Sequence, residues 1–316
     1  MPVVVKAART SEELAKLFAF RFNVAQKAAQ TIPYFSESGM ISDQCDSYPN
    51  TLNILARDQT QSLGSVRGLR YEITESSLNR EFNFASAAQS LHGPFGFADM
   101  LVLAPMNLKQ STLLDALFKT LFASLVNAGL GSVFFLSPQS LWESVESIGF
   151  RKLGDAFNSK IYDEVLIPCV ADLGVFYDAV QNMVKDREIM RFQESFYRVV
   201  FSPGEFVVVE GEKGSTGDII DEGEVEVVKS AGEGIVRLTS LGRGNLIGEV
   251  GLLANEARTA SMIAKTDLSC IAFDRTEFLK VMYQDPSRAL DLFQIMSKRL
   301  SATNNMLSEL RSKIVN

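Results

Sequence analysis

The apolar and polar positions divide the chain into two halves with different rhythms. In the first half, strand-like runs and helical stripes alternate. Residues 2–8 read as a short strand. Residues 12–28 then carry apolar side chains at three- and four-residue spacing, behind Ser11 as a helix cap with Glu13 close by. A polar stretch with Gly, Ser and two prolines, 30–49, reads as a loop. Residues 52–57 and 63–70, joined by a turn at 58–62, form a hairpin. Residues 72–94 leave room for a short helix. An apolar strand follows at 95–104, then a long amphipathic helix at 108–128, stopped by Gly129 and Gly131. A strand at 131–136, a helix at 138–147 ending on Gly149-Phe150, and a last strand pair within 151–168 complete this half.

The second half is written in short strands with glycine turns. A helical linker at 171–191 leads into it, with Phe176, Val180 and Met183 set to pack on a domain face. Strands at 201–209, 224–228, 235–240 and 268–273, separated by Gly-containing turns, predict a small β-roll or barrel. Helices at 276–282 and 287–310 flank Asp285-Pro286. On the second, Phe293, Met296 and Leu300 share a face that can serve as a lid, a core or a dimer seam. The fold class is therefore α+β: an N-terminal mixed sheet with flanking helices (1–170), a helical linker (171–194) and a C-terminal β-roll with closing helices (195–316).

Composition narrows the picture further. The chain has 316 residues, enough for about two domains, and 46% hydrophobic with 22% charged residues is an ordinary globular balance. A net charge of −7 argues against a nucleic-acid surface, and the chain ends at Asn316 with no residues left for a helix-turn-helix after the last helix. No apolar run reaches the roughly 18 residues of a membrane span. The start, MPVVVKAART, has no signal-peptide core. Cys45, Cys169 and Cys270 are odd in number and lack metal-type spacing, so they read as buried reduced thiols of a cytoplasmic protein. His92 is the only histidine, and neither a His-pair metal site nor a Ser-His-Asp arrangement is seen around it.

One stretch carries a concentrated chemical signal. Residues 247–264 read IGEVGLLANEARTASMIA: a tight turn, a carboxylate, a short helical turn, an arginine and a return to strand. Gly248 permits positive φ and close backbone approach. N–H groups at a short helix start attract a phosphate. Arg258 can fork onto two phosphate oxygens, ionised Glu249 can only accept and so suits a sugar hydroxyl, and Thr259 adds a donor. This stretch, with PGE at 203–205, EG at 210–211 and GEV at 223–225 upstream, resembles the phosphate-binding cassette of the cyclic nucleotide-binding domain family. The resemblance implies Glu249 on the ribose 2′-OH and Arg258 on the cyclic phosphate. Thr259 and Ala260 would line the same phosphate, and Gly248, Val250 and Leu252 would complete the wall. The ligand is cAMP or cGMP, with Thr259 permitting cGMP. Gly214-Ser215 and Asp218 depart from the usual Gly-Asp before a Tyr strand.

The first half resembles the GNAT superfamily of acyltransferases, nearest the N-acyl amino acid and autoinducer synthase branch. The likeness rests on element order, on Gly64-Ser65-Val66-Arg67, on Ala104-Pro105 ending the central strand, and on SIGFRKLG at 147–154. It implies an acyl-CoA or acyl-carrier protein donor, Asp99 as general base, and Lys109 and Ser111 as phosphate contacts. The loop 107–112 lacks the family's glycines, which suits a carrier-protein donor better than free coenzyme A. Val145 stands where most members place a general-acid tyrosine, and neighbouring Trp142 cannot replace it. Asp99 is equally an outward residue of an alternating strand, and His92 either covers the acceptor site or sits in solvent. Arg67 either orients a substrate carboxylate or pairs with Asp46 or Asp58. The leading expectation is an N-acyltransferase controlled by a cyclic nucleotide, with homodimerisation through the last helix open. The alternative is a cyclic nucleotide-binding regulatory protein on a catalytically silent GNAT scaffold.

Overall fold

A computed structural model of the chain describes residues 1–28, 39–48, 51–69, 81–89, 91, 94–105, 109–176, 178, 197–231, 234–254, 256–284, 297 and 301. The first strand, β1 (Val3–Ala7), leads into α1 (Ser11–Ala28). The helix is capped one residue earlier than expected. Glu13 N–H donates to Thr10 Oγ1 (3.2 Å) and Thr10 N–H donates to Glu13 Oε2 (3.2 Å), a reciprocal capping box that places Ser11 inside the first turn. The hairpin β2 (Thr51–Arg57) and β3 (Ser62–Leu69) follows as expected, with Asp58 Oδ1 accepting from the Thr60 and Gln61 N–H groups to fix its turn. A short helix α2 (Phe84–Ala88) precedes the central strand β4 (Phe95–Leu103), which runs into α3 (Gln110–Asn127).

Strand β5 (Ser132–Pro138) gives way to a 3-10 turn (Gln139–Leu141) before α4 (Trp142–Ile148), so the helix predicted at 138–147 is regular only in its second part. The predicted strand pair resolves into three strands: β6 (Phe150–Lys152), β7 (Phe157–Asn158) and β8 (Val165–Asp172). Strand β8 carries four residues past Pro168 and inserts between β5 and β6. Residues 173–176 start the linker helix, and the Phe176 ring sits 5.4 Å from Phe122. Val180, Met183 and His92 lie outside the described residues, as does all of the helix expected at 287–310 except Ser297 and Ser301, both helical.

The second half contains β9 (Tyr197–Phe201), β10 (Phe206–Val208), β11 (Thr216–Glu222), β12 (Val225–Ala231), β13 (Gly234–Leu241), β14 (Leu246–Ile247), α5 (Glu249–Ala254), β15 (Ser261–Ala264), β16 (Leu268–Asp274) and α6 (Arg275–Gln284). Strands β9 and β11 were not anticipated, because buried charges interrupt their apolar runs: Arg198 in β9, and Asp218 and Asp221 in β11.

Two sheets result. A four-stranded sheet has the order β10-β15-β12-β13. The larger one runs β14-β11-β16-β9-β1-β2-β3-β4-β5-β8-β6, with β7 beside β8, and so continues through both halves of the chain. Its joint is the antiparallel pair β1–β9, with Val3 opposite Val200 and Val5 opposite Arg198. Strands β4 and β5 pair in parallel only from Phe95–Ser132 to Ala98–Phe135. Beyond that, Met100 takes φ 50° and the register against β3 slips between Ser65 and Arg67, a bulge that bends β4 away.

Helix α3 is buried along most of its length because the sheet bears on it through β1, β2, β3 and β9. Phe118 and Phe122 pack edge-on and tilted against Phe150, and Phe118 also meets Phe135. A second core, with Phe84, Phe97 and Phe134, fills the space beneath α2. All three cysteines are free and buried. Burial pushes the Cys45 thiol up to about 11 and raises Cys169 and Cys270 as well, so none is a thiolate at neutral pH. Among the described residues no helix is long and apolar enough to cross a membrane.

Candidate functional site

The sequence-selected residues fall in three places. The first is the turn–helix–strand unit from β14 to β15. Gly248 ends β14 with φ 77°, a left-handed conformation that a side chain would strain. Glu249, half-buried, opens α5. Leu252 turns inward to pack with Leu246, Phe273 and Phe278. Val250 belongs to the same helix. After the helix, the chain is tied to the 210–213 turn by paired main-chain bonds: Gly211 N–H to Arg258 O and Arg258 N–H to Glu212 O, both 2.9 Å. Ala260 is buried, Thr259 is exposed, and the Thr259 carbonyl accepts from Lys229 Nζ at 3.0 Å.

Arg258 is the centre of this unit. Its side chain is buried, with Nη1 donating to Gly248 O (2.6 Å) and Nη2 to Thr216 O (2.7 Å). These bonds fix the guanidinium between β11 and the start of α5. Two glycines make the space. A Cβ on Gly214 would lie 2.0 Å from Arg258 Nε, and one on Gly248 would lie 2.4 Å from Nη1. Gly214 and Thr216 were not singled out as site residues. In the sequence Gly214 stands only as half of a departure from a motif; its contact with Arg258 depends on β11 running beneath that side chain.

Asp218 lies in β11 with its side chain buried. Burial pushes its carboxyl up to about 6, and the charge of Arg258 works in the opposite direction without overcoming it. A carboxyl whose folded pKa is raised holds its proton more tightly when folded. Its contribution to stability is therefore full below about pH 4 and is lost as pH rises through about 6. Asp218→Asn is expected to stabilise the protein by about 2–3 kcal/mol at pH 7.5, and by about 1 kcal/mol less at pH 5. Urea unfolding at the two pH values measures this, and equal gains would mean that burial of the charge is not the cause.

The second place is Asp99. Both its oxygens are taken by Arg67, Nε to Oδ1 and Nη2 to Oδ2, each 2.7 Å. Arg67 also reaches Asp43 (2.5 Å) and Asp46 (3.1 Å), and Asp46 is shared with Arg21 (3.3 Å). Burial alone would lower the pKa of Arg67, but Asp99, Asp43 and Asp46 drive it upward. Of the partners expected for Arg67, Asp46 is present, whereas Asp58 is committed to its own turn. Asp99 is buried and does not point outward from its strand.

Lys109 and Ser111 form the third place. Lys109 stands at the start of α3 without a side-chain capping bond. Both residues line a cleft of about 450 Å3 that also takes in Asp221 and Arg243 from the β-roll. Deeper in it, Lys119 of α3 bridges Asp115 (2.8 Å) and Asp221 (3.4 Å), and Asp221 is also paired with Arg198. Helix α3 and strand β11 are thus joined by a buried ion cluster. Among the described residues, no group of three or more His, Cys, Asp or Glu is arranged to hold a metal ion.

Comparison with known proteins bears on the first of these places. Residues 198–285 match the cyclic nucleotide-binding domain family. The match runs from β9 into α6 and contains the whole Arg258 unit. The chain is 30% identical over 156 residues to a cAMP-dependent protein kinase regulatory subunit of Yarrowia lipolytica, covering 48% of this chain and 38% of that protein. It is 32% identical over 121 residues to a cGMP-dependent protein kinase of Plasmodium berghei, covering 35% of this chain and 14% of that one. The chain therefore spans well under half the length of these relatives. Among solved structures, the Thermus thermophilus catabolite activator protein is 25% identical over 42% of this chain and 62% of its own, with a TM-score of 0.38. A cyclic nucleotide-binding domain from Methylobacillus flagellatus is 20% identical over 40% of this chain and 79% of its own, with a TM-score of 0.37. The β-roll is thus the part of the chain that matches the cyclic nucleotide-binding domain family, and that match gives no support to acyl transfer, an acyl donor or a dimer.

Proposed function

We propose that the chain is a cyclic nucleotide-binding regulatory protein whose first half is a scaffold without turnover. The observation that carries this reading is Arg258, buried and held by two carbonyls within the segment that matches the family. In the bound state, the Arg258 fork takes the cyclic phosphate, Glu249 the ribose 2′-OH, and Thr259 and Ala260 the far side of the phosphate, with Gly248 in the wall; Leu252, expected there too, is instead packed in the core behind it. The ligand is cAMP or cGMP. Calorimetric titration of the full chain with each tests the reading, and absence of binding to both would overturn it. Gly214→Ala pushes a methyl into the guanidinium. It is expected to weaken binding about tenfold or more while leaving the circular dichroism spectrum unchanged. An unaltered affinity would mean that the Arg258 position seen here is not the binding one.

Regulation requires that the ligand favour one of two arrangements. The ion cluster of Lys119, Asp221 and Arg198 supplies a physical link from β11 to α3 through which such a preference can pass. Nucleotide is expected to slow amide hydrogen exchange in α3 as well as in the β-roll. Protection confined to the β-roll would leave the first half outside the response.

A second reading, an N-acyltransferase, is favoured by one feature: the bulge at Met100 and the end of β4–β5 pairing at Ala98–Phe135, where the GNAT resemblance implies a donor arm. Against it stand the capture of Asp99 by Arg67 and the burial of Val145 where a general acid would be needed. Release of thiol from acyl-CoA or acyl-carrier protein, assayed with and without nucleotide, separates the two readings.

A further inference from the structure

A cleft of about 650 Å3 opens between α1, the turn of the β2–β3 hairpin and the chain leaving β4. It shares no residue with the Arg258 unit or with the cleft at the start of α3. Helix α1 presents one whole face to it. Lys16, Ala19, Phe20, Asn23, Val24 and Lys27 recur at steps of three and one, three turns of a single stripe. The neighbouring stripe, Leu17, Arg21 and Ala25, is buried against the sheet, so the rotation of the helix is fixed and the first stripe is held toward the cleft.

The lining has two characters. Ala19, Phe20 and Val24 of α1, with Ala104 and Pro105, make an apolar floor. Lys16, Lys27 and Arg57 stand around it, and no carboxylate is among the lining residues. Of the nearby acids, Glu12 pairs with Lys16 itself at 2.5 Å, and Asp58 is turned into the hairpin by Thr60 and Gln61. Among the described residues neither Lys27 nor Arg57 has an ion-pair partner. In a chain of net charge −7, a cleft that keeps Lys27 and Arg57 without an ion-pair partner among the described residues is an uneven use of charge. Its size is that of small-molecule sites, which combine apolar walls with a few polar groups.

The geometry points to a binding site for an amphiphilic organic anion, with its apolar body on Phe20 and Val24 and its acidic head between Arg57 and Lys27. A carboxylate and a phosphate monoester present the same chemistry to these cations. Asn23 and Gln61, also in the lining, can donate to either head.

The test is calorimetric titration of the full chain with octanoate, octyl phosphate, 1-octanol and inorganic phosphate. One or both amphiphilic anions should bind at one per chain, at least tenfold tighter than octanol or phosphate, and the tighter of the two identifies the head. Val24→Trp should abolish this binding by filling the floor. The double variant Lys27→Gln, Arg57→Gln should weaken it tenfold or more. All three positions are at least partly exposed, and thermal unfolding midpoints close to wild type verify that the variants fold. No binding of either anion, equal binding of octanol, or binding unaffected by both variants would overturn the assignment.

Discussion

Arg258→Ala is expected to lower cyclic nucleotide affinity roughly a hundredfold or more, because a charge-assisted fork of two hydrogen bonds is worth about 3 kcal/mol or more in a shielded site. The same change has a second consequence. Gly248 O and Thr216 O would lose their donors in a buried wall, so stability should fall by about 1–3 kcal/mol. Binding therefore has to be measured where unfolding shows the variant still native. Arg258→Lys separates the two effects: it keeps the positive charge but cannot span both carbonyls or two phosphate oxygens, and should fall between wild type and alanine. A folded alanine variant with unchanged affinity would remove the arginine from the site.

The largest effect on stability is expected at Arg67. Three carboxylates converge on it, from Asp43, Asp46 and Asp99, and it is almost wholly buried. Arg67→Ala would leave those charges to Arg21 alone, which touches only Asp46 of the three. Removing one partner of a buried ion pair costs about 3–5 kcal/mol, because the other stays desolvated and uncompensated. Arg67→Ala should lower the urea midpoint accordingly. In a double-mutant cycle with Asp99→Ala, the combined loss should be well below the sum of the two, since each removes the same bidentate pair. Additive losses would show that the two residues do not act as a unit.

The sequence carried the regular elements and the Arg258 unit well, for reasons that the structure makes plain. Both signals are local. Gly248, Glu249 and Arg258 lie within eleven residues and need only one turn and one short helix to meet. What escaped was long-range or rested on charge. Strands β9 and β11 were hidden because Arg198, Asp218 and Asp221 sit at positions that an apolar pattern requires to be apolar; Arg198 and Asp221 pair with each other, Asp221 is joined by Lys119 from the distant helix α3, and Asp218 lies within the field of Arg258. The same holds for Asp99, readable as an outward strand residue until Arg67 is seen opposite it in β3. The start of α1 failed for a smaller reason: Thr10 and Ser11 both cap well, and only the reach of Glu13 back to Thr10 chooses between them.

The β1–β9 joint bears on how this chain can be taken apart. A fragment beginning near residue 195 would leave β9 without a partner on one side, and a fragment ending near residue 170 would do the same to β1. Each would present a naked row of main-chain donors and acceptors flanked by valines, the kind of seam along which separate molecules stick together. A nucleotide sensor excised from this protein for use elsewhere would need that seam sealed, by a proline or a lysine on β9 or by carrying β1 along as a grafted strand. The two halves have in effect been sewn rather than linked, and neither can be exchanged by recombination at the linker without the other's edge being remade.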